Sequence, residues 1–211
     1  YMEKLSRMGI PTAPEDYLTS VDAAIDHLRR FHAGEKCYVF GTRAFYGQLQ
    51  TAGIPVTDRP EDDVDILLCG FDRELTFRKL EDACILLNRG VTWLATNPDW
   101  VCPTWYGSVP DCGSVCRMLT TATGREPLFL GKPQPAMAEL ALRRTGFSPE
   151  QAVIIGDRLY TDVACGINAG IDSIFVLSGE GTEADIAQYG IHPTWIFSDI
   201  AALYRQLEET L

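Results

Sequence analysis

Short apolar runs bounded by turn residues recur along the 211-residue chain, and most are followed by a segment with helical spacing. KCYVFG (36–41), DVDILLCGF (63–71) and VTWLATNPD (91–99) read as strands. Between the first two, RAFYGQLQTAG reads as a helix closed by Gly53. TFRKLEDACILLNRG (76–90) reads as a helix with Leu80, Ala83, Cys84 and Leu87 on one face and Gly90 as its stop. A second alternation follows: strand 152–156, helix 161–169, strand 173–178, helix 182–189, strand 194–197 and helix 199–209. Strands separated by helices are joined by crossovers, which places them in a parallel sheet covered by helices, the α/β class.

The remaining segments divide this alternation. YMEKLSRMGI predicts a helix over 1–8 stopped by Gly9 and Pro11, APEDYLTS a short connector or strand, and SVDAAIDHLRRF a Ser-capped helix. Residues 100–113, rich in Pro, Gly, Trp and Cys without a period, read as a long ordered loop. Helices are expected over 114–124 and 135–145, so two α/β units meet near 113–131. A net charge of -11 argues against a broad nucleic-acid surface and requires a local cationic site for any anionic substrate. No stretch approaches the apolar length of a membrane span, and no signal peptide is visible. An odd count of seven cysteines, several in apolar runs, reads as buried free thiols of a reducing cytosol, hence a cytoplasmic protein. Cys102, Cys112 and Cys116 lack a CxxC pair and a nearby His, which argues against zinc.

The chemistry concentrates in VIIGDRLYTDVACGINAG (153–170). In an open parallel sheet, ligands bind beyond the carboxyl ends of the strands. Asp157 stands at such an end, Gly156 lets the chain turn there, and Asp162 opens the following helix. Two carboxylates converging in this way suit Mg²⁺, with waters and a phosphate completing an octahedron. Upstream, Lys132 in LGKP lies between a Gly and a Pro in a loop before a helix, placed to clamp a phosphoryl group or neutralise a carboxylate. It is not a Walker loop, because Pro133 stands where that motif needs Ser or Thr.

LGKPQP followed after one helix by VIIGDRLYTDVACGINAG resembles the third and fourth motifs of haloacid-dehalogenase-type phosphatases. CGFDRELTFRKL, ATNPD and TTATGREPLFLGKP resemble the subfamily of NagD and the 4-nitrophenyl- and phosphoglycolate phosphatases. The resemblance implies an α/β fold with a Rossmann-like core over 1–20 and 127–211 and an inserted α/β cap of the C2 type over 21–126. It implies hydrolysis of small phosphorylated metabolites with Mg²⁺ as cofactor, through an aspartyl-phosphate. In that pattern Lys132 stabilises charge on the substrate, Asp157 ligates Mg²⁺, and Asp162 is counted with the metal site, supporting the ion through water or from behind its direct ligands. Asn97 and Cys102 belong to the cap segment that faces the substrate, and two copies pair through the cap.

One part of the pattern is absent. The family's nucleophile and acid/base lie in an Asp-x-Asp-Gly-Thr motif at the end of its first strand, and DDVD (62–65) has no Gly-Thr and precedes its strand; the second motif, a Thr or Ser ending the next strand, is absent as well. The resemblance therefore implies a chain lacking the family's first strands, about a βαβ unit of 30 or more residues, and inactive by itself. Two other readings compete. Gly179-x-Gly181-x-x-Ala184, with Asp199 downstream, meets the dinucleotide-binding fingerprint, although no second mononucleotide-binding half follows it. The other is a non-catalytic binding protein that keeps the cap. Serine-hydrolase chemistry is disfavoured, since there is no GxSxG and His27, His32 and His192 have no evident partner.

Overall fold

The computed structural model describes residues 2–210. Three of its strands, β1 (Cys37–Phe40), β3 (Ile66–Cys69) and β4 (Thr92–Ala95), are the apolar runs of the first alternation. With β2 (Val56–Thr57) and β7 (Leu128–Phe129) they form a five-stranded parallel sheet in the order β2-β1-β3-β4-β7. Successive side chains of a strand point to opposite faces, and here both faces are covered. Cys37, Val39, Ile66, Leu68 and Leu94 pack with Ala24 and Leu28 of α2 (Ser20–Phe31) and Leu49 of α3 (Arg43–Thr51). Tyr38, Phe40, Leu67, Cys69, Trp93 and Ala95 pack with α4 (Phe77–Arg89) and α5 (Cys112–Thr123). Double coverage is why these strands read as continuous apolar runs rather than as alternating ones.

The second unit is a three-stranded parallel sheet in the order β10-β9-β8, built from β8 (Val153–Gly156), β9 (Asp172–Val176) and β10 (Trp195–Phe197). Phe175 packs with Leu159 and Val163, and Ile174 and Val176 pack with Leu203 of α9 (Ile200–Thr210). Among the described residues β8 pairs only with β9, and Val153 and Ile155 on its open face are 45% and 44% exposed. The units meet where α2 packs on α6 (Ala136–Thr145), which also contacts α7 (Ala164–Ala169). Two ion pairs line the α2–α6 seam, Arg143–Asp26 at 2.7 Å and Arg144–Asp22 at 3.1 Å. Partly exposed pairs of this kind set alignment more than stability.

Three segments depart from the sequence expectation. Residues 100–113 are not a loop: β5 (Val101–Thr104) and β6 (Gly107–Pro110) form an antiparallel hairpin. Pro103 and Pro110 obscure its period of two, and a two-stranded ribbon tolerates them because both of its strands are edges. The strands β2 and β7 have two residues each, too few to carry a period. β7 pairs with β4 of the first sheet, just past the 126–127 boundary expected between cap and core. The helix expected over 161–169 begins instead with a wider turn over Leu159–Val163, followed by α7. Among the described residues no helix is long and apolar enough to cross a membrane.

Leu67 is fully buried in the central strand of the first sheet. Leu67→Ala is expected to lower unfolding stability by about 3 kcal/mol, the usual cost of truncating a well-packed core leucine, read from urea denaturation followed by circular dichroism.

Candidate active site

Asp157 follows β8 directly, at the carboxyl end of its sheet. The backbone N–H of Glu180 donates to its carboxylate at 2.9 Å, and the N–H of Gly181 donates to its carbonyl at 2.9 Å. The 178–181 loop can wrap so closely because Gly179 has no side chain: a Cβ there would stand 2.0 Å from Asp157 Oδ2. Gly156 does the same for the second acid, since a Cβ on it would lie 2.2 Å from Asp162 Cβ. The glycines of this stretch are thus spaces for carboxylates.

The wide turn over Leu159–Val163 carries Asp162 back toward the strand end. Its Oδ2 accepts the backbone N–H of Arg158 at 3.2 Å, and its Oδ1 accepts a hydrogen bond from Lys132 Nζ. Asp162 is 8% exposed, so the lysine meets a largely desolvated charge. Lys132 comes from the other unit's side, in the loop after β7. Leu130 N–H donates to Ala95 O at 2.8 Å, Asn168 Nδ2 donates to Pro133 O at 2.8 Å, and Gly131 lies so close to Thr96 that a Cβ would stand 2.3 Å from its carbonyl oxygen.

Asp99, Lys132, Asp157, Arg158, Thr161 and Asp162 line one cleft of about 160 Å³ between the two sheets' carboxyl ends. The structure thus brings Lys132, Asp157 and Asp162 together. Asn97 stands at its margin, where its Oδ1 accepts the N–H of Asp99 at 3.2 Å and sets the turn that delivers Asp99. Cys102 does not join them; it lies on the β5–β6 hairpin and lines a separate cavity with Phe71 and Trp105. Sequence reasoning passed over Asp99 and Arg158. The NPD turn and the adjacency of Arg158 to Asp157 were the available signals. Arg158 donates from Nε to Glu180 Oε2 at 2.7 Å and reaches Asp99 with Nη1 at 3.6 Å. Burial pushes the Asp99 carboxyl above the usual carboxylate range, against the pull of Arg158 and Lys132.

The donor set fits Mg²⁺ better than a metal held by protein alone. Of the two Asp157 oxygens, only Oδ2 has a hydrogen-bond partner among the described residues. Both Asp162 oxygens are engaged by Lys132 and Arg158. No three His, Cys, Asp or Glu side chains converge as a metal cage among the described residues. Mg²⁺ is commonly held by one or two carboxylates, with waters and a substrate phosphate supplying the rest. Asp157 would ligate it, and Asp162 is placed to position Lys132 and the 157–158 backbone.

Comparison with known proteins gives the same architecture. A haloacid dehalogenase-like hydrolase model matches residues 1–55, and an HAD-hydrolase-like model matches 129–203. An acid sugar phosphatase of Staphylococcus epidermidis is 32% identical over 207 residues, covering 98% of this chain and 79% of that protein. The chain belongs to the haloacid dehalogenase-like hydrolases, in their NagD-like phosphatase branch. The crystal structure of a 4-nitrophenylphosphatase from Thermotoga maritima superposes with a TM-score of 0.88 at 34% identity, over 97% of this chain and 78% of that one. A glycerol phosphate phosphatase from Mycobacterium tuberculosis, solved with magnesium, superposes with a TM-score of 0.88 at 32% identity, over 96% of this chain and 62% of that one.

Membership in this hydrolase family is matched by how the competing motifs are used. Gly179 and Gly181 of the dinucleotide fingerprint are occupied in holding Asp157. Asp199 caps α9, accepting the N–H of Ala202 at 2.7 Å. Cys112 and Cys116, whose sulfurs are 4.0 Å apart, are buried in the first unit's core, away from the half-exposed Cys102.

Gly179→Ala is expected to displace the Asp157 carboxylate and weaken Mg²⁺ binding at least tenfold, read by isothermal titration. Unchanged affinity would count against the assignment of Asp157 as the metal ligand.

Proposed function

We propose that this cleft carries Mg²⁺-dependent hydrolysis of small phosphomonoesters through an aspartyl-phosphate. The observation that carries the reading is the convergence, in one cleft, of Asp157 with an uncommitted oxygen and of Lys132 held by Asp162. Lys132 supplies positive charge where a phosphoryl oxygen gains negative charge in the transition state. Asp162 fixes the lysine's position, and the 178–181 loop fixes Asp157. Mg²⁺, when bound, neutralises phosphoryl charge and orients the group for in-line displacement. The structure with magnesium in a glycerol phosphate phosphatase supports that metal, and the acid sugar phosphatase relative supports a small phosphorylated metabolite as substrate.

The attacking carboxylate is not supplied by the cleft, since the chain has no Asp-x-Asp-Gly-Thr stretch. In this proposal it comes from outside these 211 residues. Support comes from β8, an edge strand that ends at Asp157 with its outer face half-open, so a strand added there would end beside the metal ligand. Asp99 closes the cleft from the first unit, as a cap does over a substrate.

In a protein that supplies the attacking carboxylate, Asp157→Ala is expected to lower Mg²⁺-dependent turnover of 4-nitrophenyl phosphate at least a hundredfold. Near-normal turnover would refute the metal assignment. For the 211-residue chain itself, titration with inorganic phosphate in Mg²⁺ reads the cation clamp, and Lys132→Met is expected to weaken that binding about tenfold or more.

A further inference from the structure

Asp157 and Arg158 are neighbours in the chain, and both line the cleft. Asp157 keeps one oxygen, Oδ1, without a hydrogen bond from the described residues. For a metal site that adjacency is a hazard. A guanidinium carries several donors at the end of a long stem, and a carboxylate is its best partner. Turned toward Asp157, Arg158 would take the oxygen that the reading above reserves for Mg²⁺. Short of contact, its charge would still repel a divalent cation.

Arg158 is held elsewhere. Its Nε and Nη2 both donate to Glu180 Oε2, at 2.7 and 2.5 Å. The Tyr160 hydroxyl donates to the other oxygen of Glu180 at 3.5 Å, and the Tyr160 ring stands 5.7 Å from that of Tyr189. Asp99 draws on Nη1 from the first unit at 3.6 Å. The Arg158 side chain is only 19% exposed, so water screens its charge little and the carboxylates around it decide where it points.

Glu180 is itself fixed. It is the middle residue of the Gly179-x-Gly181 stretch. Its N–H donates to Asp157 Oδ2, and the N–H of Gly181 donates to Asp157 O. A Cβ at 179 would overlap the Asp157 carboxylate, and one at 181 would stand 2.8 Å from the Phe175 ring. The loop therefore presents one side chain between two glycines, and that side chain engages Arg158.

We propose that Glu180 is a positioning residue that reserves Asp157 for the metal: its backbone N–H holds one Asp157 oxygen, and its carboxylate keeps the neighbouring Arg158 away from the other. The inference rests on Asp157 being the Mg²⁺ ligand and adds a residue to that site. Neither Glu180 nor Arg158 contacts the metal in it. Together the two are neutral. Removing the Glu180 charge alone frees the guanidinium, whereas removing both charges restores the balance.

The test is Mg²⁺ binding to the 211-residue chain by isothermal titration, compared across Glu180→Gln, Arg158→Gln and the double variant. Glutamine at 180 keeps the N–H on Asp157 and removes the charge that holds Arg158. Glu180→Gln is expected to weaken Mg²⁺ binding at least fivefold. Arg158→Gln is expected not to weaken it, and the double variant is expected to return to within about twofold of wild type, the non-additivity of a coupled pair. A freed guanidinium also attracts anions, so Glu180→Gln is expected to bind inorganic phosphate at least threefold tighter without divalent cations. Opposite shifts for cation and anion distinguish this from a lost fold, which weakens both, and Glu180→Ser provides the same comparison should the glutamine variant fold poorly. Unchanged Mg²⁺ affinity in both Glu180 variants, a weakened Arg158→Gln, or a double variant as weak as Glu180→Gln overturns the inference; the last two would make the pair a strut for the loop. If wild type does not bind Mg²⁺, or Asp157→Asn binds it equally well, the metal assignment itself fails, whereas Mg²⁺ binding that needs Asp157 and ignores Glu180 removes only the role of Glu180.

Discussion

The Lys132–Asp162 ion pair is the contact on which the site depends. Lys132 leaves the last strand of the first sheet, and Asp162 sits in the turn that follows β8 of the second. Asp162 is buried, so without the ammonium its charge would lack compensation in a poorly solvated place. The pair therefore does two things at once: it neutralises a costly carboxylate and draws the ends of two independent sheets together. The Arg158 backbone N–H completes the carboxylate's partners and ties the segment bearing Asp157 to the same point.

Around that pair, function is arranged by the direction of the strands. All strands of the five-stranded and the three-stranded sheet run parallel, so the loops at the carboxyl end of each sheet share a side. The loop after β4 carries Asn97 and Asp99, the loop after β7 carries Lys132, and the loop after β8 carries Asp157 and Arg158. No two of these groups need be near in sequence to meet in one cleft. Close approach of the loops is bought at four positions by the missing side chains of Gly113, Gly131, Gly156 and Gly179. The hydrophobic cores on both faces of the first sheet keep this edge rigid, since all four residues of β1 and of β3 are buried.

Much of this was legible in the residues. The apolar runs and their helical spacers specify parallel α/β units, because continuous burial on both strand faces leaves an unmistakable composition. The Gly-Asp ending of β8 and the Gly-Lys-Pro loop marked Asp157, Asp162 and Lys132. Short elements escaped: a two-residue strand has no period to detect, and the 101–110 hairpin is disguised by two prolines. Asp99 and Arg158 escaped for another reason. An Asp in an Asn-Pro-Asp turn and an Arg beside a motif Asp are each ordinary surface residues until distant strands bring them face to face.

The amino-acid order alone determined the class of fold, the strand ends at which chemistry could occur, and the acids and the lysine available to it. These are local properties, set by periodicity, turn residues and the cost of charges next to apolar runs. The tertiary structure decided how those groups are paired. Asp162 pairs with Lys132, the 179–181 glycines pack around Asp157, Cys102 lies in a different cavity, and Asp99 faces Arg158 across the cleft. Pairing depends on distances across two sheets, and no local pattern in a chain encodes which loops will share an edge.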